Sequence, residues 1–369
     1  MNLNYQSLLH LTAIAIVILL ASLLLDRWWR ERTYDLYNKT ILLTGGSRGL
    51  GLVMARQLIA AGARLAICAR DAAELERAQT ELTQQGRDVF ALTCDVTDQA
   101  QVEQMVQQVQ ERFGAIDILI NNAGTDIVGP VETMTMQDYD DTMKLHFWAP
   151  LYTMSAVLPA MQQRRAGRIV NISSIGGKIV SPHMVAYCAS KFALVGLSEG
   201  MRVELAKDGI TVTTVCPGLI RTGVVDHAVI KGQQRKEFAW FSISDSLPVL
   251  SASAEQVAHA TIVGLRRGNA EVIVPSWVWL VSKFYALFPA GMTNLLSFGN
   301  LLLPRAAASN KERSFGKDSH SFWSPSWLTY FGDRAAQQNN EVPAIEPKDP
   351  TEVKEVGNEE RSAQSSIKG

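Results

Sequence analysis

The feature that most restricts this chain is an alternation, from Lys39 to Pro275, of short β-branched runs with longer amphipathic stretches. The runs are TILLT (40–44), RLAICA (64–69), DVFALTC (88–94), IDILIN (116–121), GRIVNISS (167–174), ITVTTVC (210–216) and EVIV (271–274). Helical patterns fill the intervals: Leu50 to Ala61, Ala72 to Gln85, Gln99 to Phe113, Tyr139 to Gln163, Val185 to Lys207 and Ala254 to Arg267. A hairpin needs only a few residues between strands, whereas a crossover to a parallel neighbour needs the length of a helix. The pattern therefore predicts an α/β fold, a doubly wound parallel sheet of about seven strands with helices on both faces. Ligands of such sheets bind beyond the carboxyl ends of the strands, so chemistry is sought there.

The ends depart from this rhythm. Met1 to Leu25 carries no charge, and Leu8 to Leu25 (LLHLTAIAIVILLASLLL) is long enough at ~1.5 Å per residue to cross a hydrocarbon core. Arg27, Arg30 and Arg32 follow this run and no Lys or Arg precedes it. That asymmetry predicts a single-pass N-terminal anchor, with Trp28 and Trp29 at headgroup level and the rest of the chain on the cytoplasmic side. The run continues into Asp26-Arg27-Trp28-Trp29-Arg30 instead of a small-residue exit, so cleavage as a signal peptide is not expected. A buried core helix is the alternative. Residues 1–38 are thus read as anchor and juxtamembrane segment, and 39–275 as the α/β domain. A second apolar stretch, Val272 to Leu303, has Lys283 as its sole charge and is cut by Pro275, Pro289, Gly291 and Gly299. Residues 276–304 are expected to form short apolar helices lying on a membrane, with a second span or ordinary core packing as alternatives. Residues 305–369 read as a polar tail, largely disordered, because the Glu, Gln, Asn, Ser and Pro from Ala335 onward bury too little apolar surface to offset chain entropy. The aromatic cluster Phe322, Trp323, Trp327, Tyr330 and Phe331 could dock on the domain, the bilayer or a partner.

Composition removes several function classes. Lys plus Arg (35) balances Asp plus Glu (36), so no basic field exists to hold nucleic acid. Cys68, Cys94, Cys188 and Cys216 form no CxxC pair, and the six histidines form no HExxH. A disulfide framework and a metal site are both unexpected, and the thiols suit a reduced compartment. Cys188 and Cys216 read as packed thiols rather than redox groups.

The first strand ends in Thr44-Gly45-Gly46-Ser47-Arg48-Gly49-Leu50-Gly51 and enters a helix directly. Glycines there let the backbone turn tightly and approach a pyrophosphate, which the helix N-terminus stabilises. The spacing is G-x-x-x-G-x-G, not the G-x-G-x-x-G of the common dinucleotide fingerprint. Further on, Ser173-Ser174 closes the fifth run, and Tyr187 and Lys191 follow at i, i+4, on one helical face.

With these motifs the segment 39–275 resembles the short-chain dehydrogenase/reductase family, whose fold is Rossmann-type. TGGSRGLG is similar to its cofactor loop, Asn121-Asn122-Ala123-Gly124 to its NNAG motif, Tyr187-Cys188-Ala189-Ser190-Lys191 to its YxxxK, and Pro217-Gly218 to its PG turn. Ser174, 13 residues before Tyr187, takes the place of the family's serine. The resemblance implies catalytic roles for Ser174, Tyr187 and Lys191. It also implies cofactor contacts from Gly45, Ser47, Arg48, Gly49, Leu50, Gly51, Arg70, Val96, Ala123, Gly124, Tyr187, Lys191, Pro217 and Gly218. Asp95 would meet the adenine, Asn121 line the adenosine pocket, and Thr222 meet the nicotinamide end. The chain departs from the pattern once: His146 stands where most members have an asparagine that anchors a relay water.

A carbonyl that accepts hydride needs a proton, and a free phenol with pKa near ~10 exchanges protons slowly at neutral pH. A lysine one helical turn away is expected to lower the phenol's pKa, and Ser174 to donate to the carbonyl oxygen. Tyr187 would then be the acid in reduction and the base in oxidation. His146 could hold a water through either ring nitrogen and titrate near neutrality. The second run ends in Ala69-Arg70 without the acidic residue that binds ribose hydroxyls, and Arg48 lies in the loop. Two guanidiniums suit a 2′-phosphate, so NADP(H) is the expected cofactor. Val224, Val225, Phe238, Trp240 and Phe241 fall in the segment that closes over the substrate in this family. Together with the apolar ends they suggest a small lipophilic ketone or alcohol of the keto-lipid, sterol or retinoid class, and a site facing the bilayer. The rival reading is a nucleotide-sensing membrane scaffold with weakened catalysis. A sugar-nucleotide epimerase would space its glycines differently and carry a larger C-terminal domain. Family members often pair through their long helices, so a homo-oligomer is expected.

Overall fold

The computed structural model describes residues 5–86, 88–305, 311–319, 326 and 329–341. Helix α1 (Tyr5–Thr33) precedes a seven-stranded sheet. Its strands are β1 (Thr40–Thr44), β2 (Arg64–Ala69), β3 (Val89–Thr93), β4 (Ile118–Asn121), β5 (Gly167–Ile172), β6 (Ile210–Pro217) and β7 (Glu271–Val274). The order is β7-β6-β5-β4-β1-β2-β3, and every neighbouring pair is parallel. The expected doubly wound sheet is therefore present, with the strand runs trimmed by a residue or two where the chain turns. Winding reverses between β1 and β4, which opens a crevice at their carboxyl ends, after Thr44 and Asn121.

The helices are α2 (Gly49–Ala60), α3 (Ala72–Thr83), α4 (Gln99–Phe113), α5 (Met136–Met143), α6 (Ala149–Gln163), α7 (Val185–Leu205), α8 (Gln234–Ser246), α9 (Ala254–Arg267), α10 (Ser276–Leu287), α11 (Pro289–Asn300) and α12 (Tyr330–Gln338). Alternation along β1 sends Ile41 and Leu43 into a layer with α2, α3 and α9, and Leu42 into a layer with α4 and α6. Burial on both faces explains why these strands are near-continuous apolar runs with no polar alternation.

Two sequence expectations change, the helix over 139–163 and the order of the polar tail. The helix expected over 139–163 is divided: α5 and α6 are joined by a π-helical turn, Lys144–Trp148, that contains His146. Such turns insert one residue into the ladder and recur at functional sites. The apolar stretch after β7 forms two helices of 12 residues each, about 18 Å long at ~1.5 Å per residue and so too short to span. Only Val278 and Ser282 of α10 are buried, while Trp277, Trp279, Leu280, Phe284, Leu287 and Phe288 are exposed. The polar tail is ordered in part: Ser314–Phe315 pairs with a short strand at Val229–Ile230, and α12 packs on the domain. Small residues make that packing close, since a Cβ on Gly332 would collide with Ser246 and one on Gly223 with Ala336. Tyr330 and Phe331 open α12 and are exposed, whereas Phe322, Trp323, Trp327 and everything after Glu341 lie outside the described residues.

Helix α1 is exposed at its described apolar positions, including Ile14 and Ile16 through Leu20. Among the described residues no helix is long and apolar enough to cross a membrane. The longest unbroken run of described side chains in α1, 12–22, covers about 16 Å at ~1.5 Å per residue. The side chains of Arg27, Trp28, Arg30 and Arg32 are outside the description. Where α1 meets the domain, the Tyr34 ring lies 3.6 Å from the Arg168 guanidinium and its carbonyl accepts from Arg266 Nε. Arg168 begins β5 and Arg266 closes α9, so α1 joins the sheet at the end opposite the crevice. The N-terminal helix therefore does not by itself bring the crevice to a bilayer.

Candidate active site

Two clusters meet in the crevice. The first is the glycine turn. Gly45 has φ +65 and packs against the Ala123 backbone, while the Asn122 amide donates to the carbonyls of Thr44 and Gly45 at 3.1 and 3.0 Å. Gly51 lets α2 close onto the turn, because a Cβ there would collide with the Gly45 carbonyl. Arg48 is the extended N-cap of α2, and its guanidinium reaches Glu74 at 2.8 Å and the His227 ring at 3.1 Å. Ser47 turns toward Glu74 at 3.5 Å, Leu50 is buried, and Thr222 is buried beside Gly49. This cradle fits a dinucleotide phosphate. The Glu341 carboxylate already rests against Gly49 with Arg48 Nε 3.2 Å away, so an anion suits the position.

The remaining cofactor-loop expectations divide. Arg70 is exposed just beyond β2. Asp95 turns its carboxylate back onto Thr97, at 2.9 Å from the amide and 2.8 Å from the hydroxyl. Val96 is buried with Thr44, Asn121 and Ala123 around one small void. Pro217 ends β6, and Gly218 donates to the Val274 carbonyl at 2.7 Å and packs against Val278 at the start of α10. Asn121 lines that void, and its side chain is held by partners in the core. Its amide donates to Asn171 at 2.9 Å and accepts from Thr153 at 2.6 Å, and Asn171 continues to Ser198 and Thr214. This buried chain ties β4, β5 and β6 to α6 and α7, so the Asn121 side chain is committed to the core. Polar groups at full burial need such partners.

The second cluster gathers Ser174, Tyr187, Lys191, His146 and Gly124. Ser174 caps a short turn after β5 and accepts from the Gly176 amide at 3.0 Å, and Gly176 lies between Ser174 Oγ and the Tyr187 ring. Lys191 Nζ sits 5.6 Å from the Tyr187 ring centroid and donates to the Ile172 carbonyl at 3.2 Å. Burial lowers Lys191 to about 8, leaving it charged at neutral pH. Tyr187 is held well above the ordinary phenol value, first by burial and then by the Asp126 carboxylate, with Ser174 as the opposing influence. Burial thus prevails over the lowering expected from Lys191, whose ammonium is engaged by the Ile172 carbonyl.

His146 is likewise corrected. Its Nε2 accepts the Thr125 N–H at 3.2 Å, which leaves Nδ1 to donate to Ser190 Oγ at 2.8 Å. Both nitrogens are committed, and burial together with Lys191 pushes its pKa well below the usual histidine range. The ring therefore stays neutral near pH 7, does not titrate there, and meets Tyr187 edge-on with centroids 5.5 Å apart. Gly124 leaves room between His146 and Lys191.

Two acids join the site that no sequence motif announces. Asp126, raised to about 6 by burial against the opposing pull of Lys191, faces Tyr187. Asp245, on α8, accepts from the Ile220 amide at 3.1 Å, while its other oxygen has no partner, and burial raises it to about 8. Only folding brings Asp126 to Tyr187 and Asp245 within the influence of Asp126. Over the phenol, Met184, Val225, Phe238 and Phe241 form an apolar cover, with Trp240 packed against them. Among the described residues no group of His, Cys, Asp or Glu could hold a metal ion.

Residues 39–231 match the short chain dehydrogenase family. The chain belongs to the short-chain dehydrogenase/reductase family of NAD(P)-dependent oxidoreductases. It is 31% identical over 294 residues to dehydrogenase/reductase SDR family member 7B of Bos taurus, covering 78% of this chain and 87% of that one. Among solved structures, a short-chain dehydrogenase from Streptomyces avermitilis superposes with TM-score 0.61 at 27% identity, over 72% of this chain and 97% of the other. A variant actinorhodin polyketide ketoreductase with NADPH superposes with TM-score 0.58 at 30% identity, over 64% and 95%.

Proposed function

We propose that this protein is a membrane-attached, NADP(H)-dependent ketoreductase that interconverts a lipophilic ketone and its secondary alcohol. The observation that carries this reading is the convergence of Ser174, Tyr187 and Lys191 at the carboxyl end of β5, across the crevice from the glycine turn. When bound, the nicotinamide supplies the hydride. Ser174 Oγ, beside the Tyr187 ring, orients the carbonyl oxygen and stabilises charge developing on it. Tyr187, protonated at neutral pH, donates the proton to that oxygen, and because burial makes it a weak acid it depends on the charge beside it to stabilise the phenolate. Lys191, still charged below pH about 8, favours the phenolate left behind. His146 positions the phenol by its edge contact and holds the Thr125 loop of the crevice, a role compatible with turnover.

The NADP(H) preference rests on Arg48 in the turn and exposed Arg70 after β2, and agrees with the NADPH of the ketoreductase neighbour. A lipophilic substrate is supported by the apolar cover over Tyr187 and by α10, whose first turn packs beside Gly218 and which exposes Trp277, Trp279 and Phe284. The exposed apolar face of α10 and the N-terminal helix supply the membrane attachment, with the domain on the cytoplasmic side by the arginine asymmetry.

The test is NADPH oxidation by the full chain with ketones of increasing chain length, beside Tyr187→Phe. Turnover should rise with chain length and fall by about 10²–10⁴ in Tyr187→Phe while NADPH still binds. Flotation with liposomes should carry the protein upward. Equal turnover in Tyr187→Phe, or none in the wild type with any ketone, overturns the enzymatic reading, and failure to float overturns the attachment.

A further inference from the structure

The segment from Thr329 to Glu341 lies beyond residues 39–231, yet it reaches the heart of the crevice. Helix α12 rests on α8 through Gly332 against Ser246, and beside Thr222 through Ala336 against Gly223. The chain then runs onto the glycine turn. The Asn339 carbonyl accepts the Gly49 N–H at 2.8 Å, and Asn340 Nδ2 donates to the carbonyls of Ser47 and Glu74 at 2.8 and 3.1 Å. Glu341 places its carboxylate against Gly49, within 3.2 Å of Arg48 Nε and 3.4 Å of His227 Nε2. Three outer bonds fix the segment from behind: Arg56 to Gln338 O at 2.8 Å and to Asn339 at 3.0 Å, and Arg77 to Asn340 at 2.9 Å.

An amide at a helix N-terminus and the guanidinium beside it attract a phosphate and a carboxylate for the same reason. Glu341 and a dinucleotide phosphate therefore compete for one place. We propose that residues 329–341 act as a built-in competitor for the cofactor, with Glu341 standing in for a phosphate, so that NADP(H) binds only as this segment lifts from the glycine turn. This competition presupposes the NADP(H) reading above. The docked state is incompletely compensated at its tip. Glu341 is 4% exposed, its Oε2 makes no hydrogen bond, and burial, opposed by Arg48 but reinforced by Glu74 and Asp226, raises the carboxyl to about 8. A segment held by several polar bonds but ending in a buried, incompletely satisfied acid is suited to release. Because α12 also rests on α8, release at the glycine turn would loosen one support of the cover over Tyr187.

Affinity is reduced by the fraction of molecules whose cleft is open, so a segment docked nine-tenths of the time weakens binding about tenfold. Full-chain protein, Glu341→Gln and Arg77→Ala are titrated with NADPH and NADH by nicotinamide fluorescence. Hydrogen exchange of residues 329–341 is followed with and without nucleotide. Arg77 is exposed on α3 and touches the segment through Asn340, so it reports on docking from outside the cradle. Both variants should bind NADPH about three- to tenfold more tightly, and saturating NADPH should speed exchange across 329–341. Unchanged or weaker binding in both variants, or exchange that slows on adding NADPH, overturns the proposal. Tighter binding of NADH than NADPH with the same release of the segment instead refutes only the choice of cofactor.

Discussion

Asp245→Asn isolates an electrostatic load carried by the cover of the site. In the folded chain Asp245 is 3% exposed, one oxygen accepts from Ile220 and the other has no partner, and burial raises its pKa from the usual 3.8 to about 8. The folded state thus holds a proton that the unfolded chain releases at pH about 4. Between pH about 4 and pH about 8 the unfolded state binds fewer protons, so stability falls as pH rises through that window and is flat outside it. At pH 7 the interval above 3.8 is roughly three units, or about 4 kcal/mol at 1.36 kcal/mol per unit, an upper bound because the buried site relaxes. Asparagine keeps the shape and the bond to Ile220 without the charge. The assay is urea denaturation of both proteins from pH 4 to pH 8, compared as a difference so that Glu341, which shifts in the same direction, cancels. The variant should match the wild type near pH 4 and exceed it by about 2–4 kcal/mol at pH 7. A difference that does not change with pH, or a destabilised variant at pH 7, would contradict this electrostatic account.

Two further outcomes follow from the same geometry. Ketone reduction should fall above pH about 8 as Lys191 loses its charge, and a kcat/KM profile that stays level to pH about 9.5 contradicts that role. Asn121→Leu should cost about 2–3 kcal/mol in denaturation by leaving Asn171 Oδ1 without its donor in the core, with NADPH affinity changed less than about twofold. A collapse of affinity at unchanged stability would return Asn121 to the adenosine pocket.

What the sequence disclosed and what it concealed divide along one physical line. The strands were legible because a sheet buried on both faces demands consecutive apolar residues, so ILL in β1 and ILI in β4 announce themselves. The glycine turn and the Tyr187–Lys191 pair were legible because their chemistry depends on spacing within one turn or one helix. His146 was visible as a substitution, but its neutral state was not, since the Thr125 amide and Ser190 hydroxyl that occupy its nitrogens arrive from two other segments. Asn121 stands in a motif associated with the cofactor, yet its side chain answers to Thr153 and Asn171, which only packing brings near. The same holds with greater force for Asp126, Asp245 and Glu341. Each reads as a solvated acid in its local stretch, and each becomes a buried group with a raised pKa through contacts made at long range. Composition judged the tail after Ala335 too polar to fold alone, and alone it would be. Residues 329–341 order here because Gly332 and Ala336 fit complementary small sites and because Arg56 and Arg77 satisfy the polar groups of 338–340. A segment ordered by polar bonds on another surface, rather than by a core of its own, is the kind whose order a competing anion can reverse.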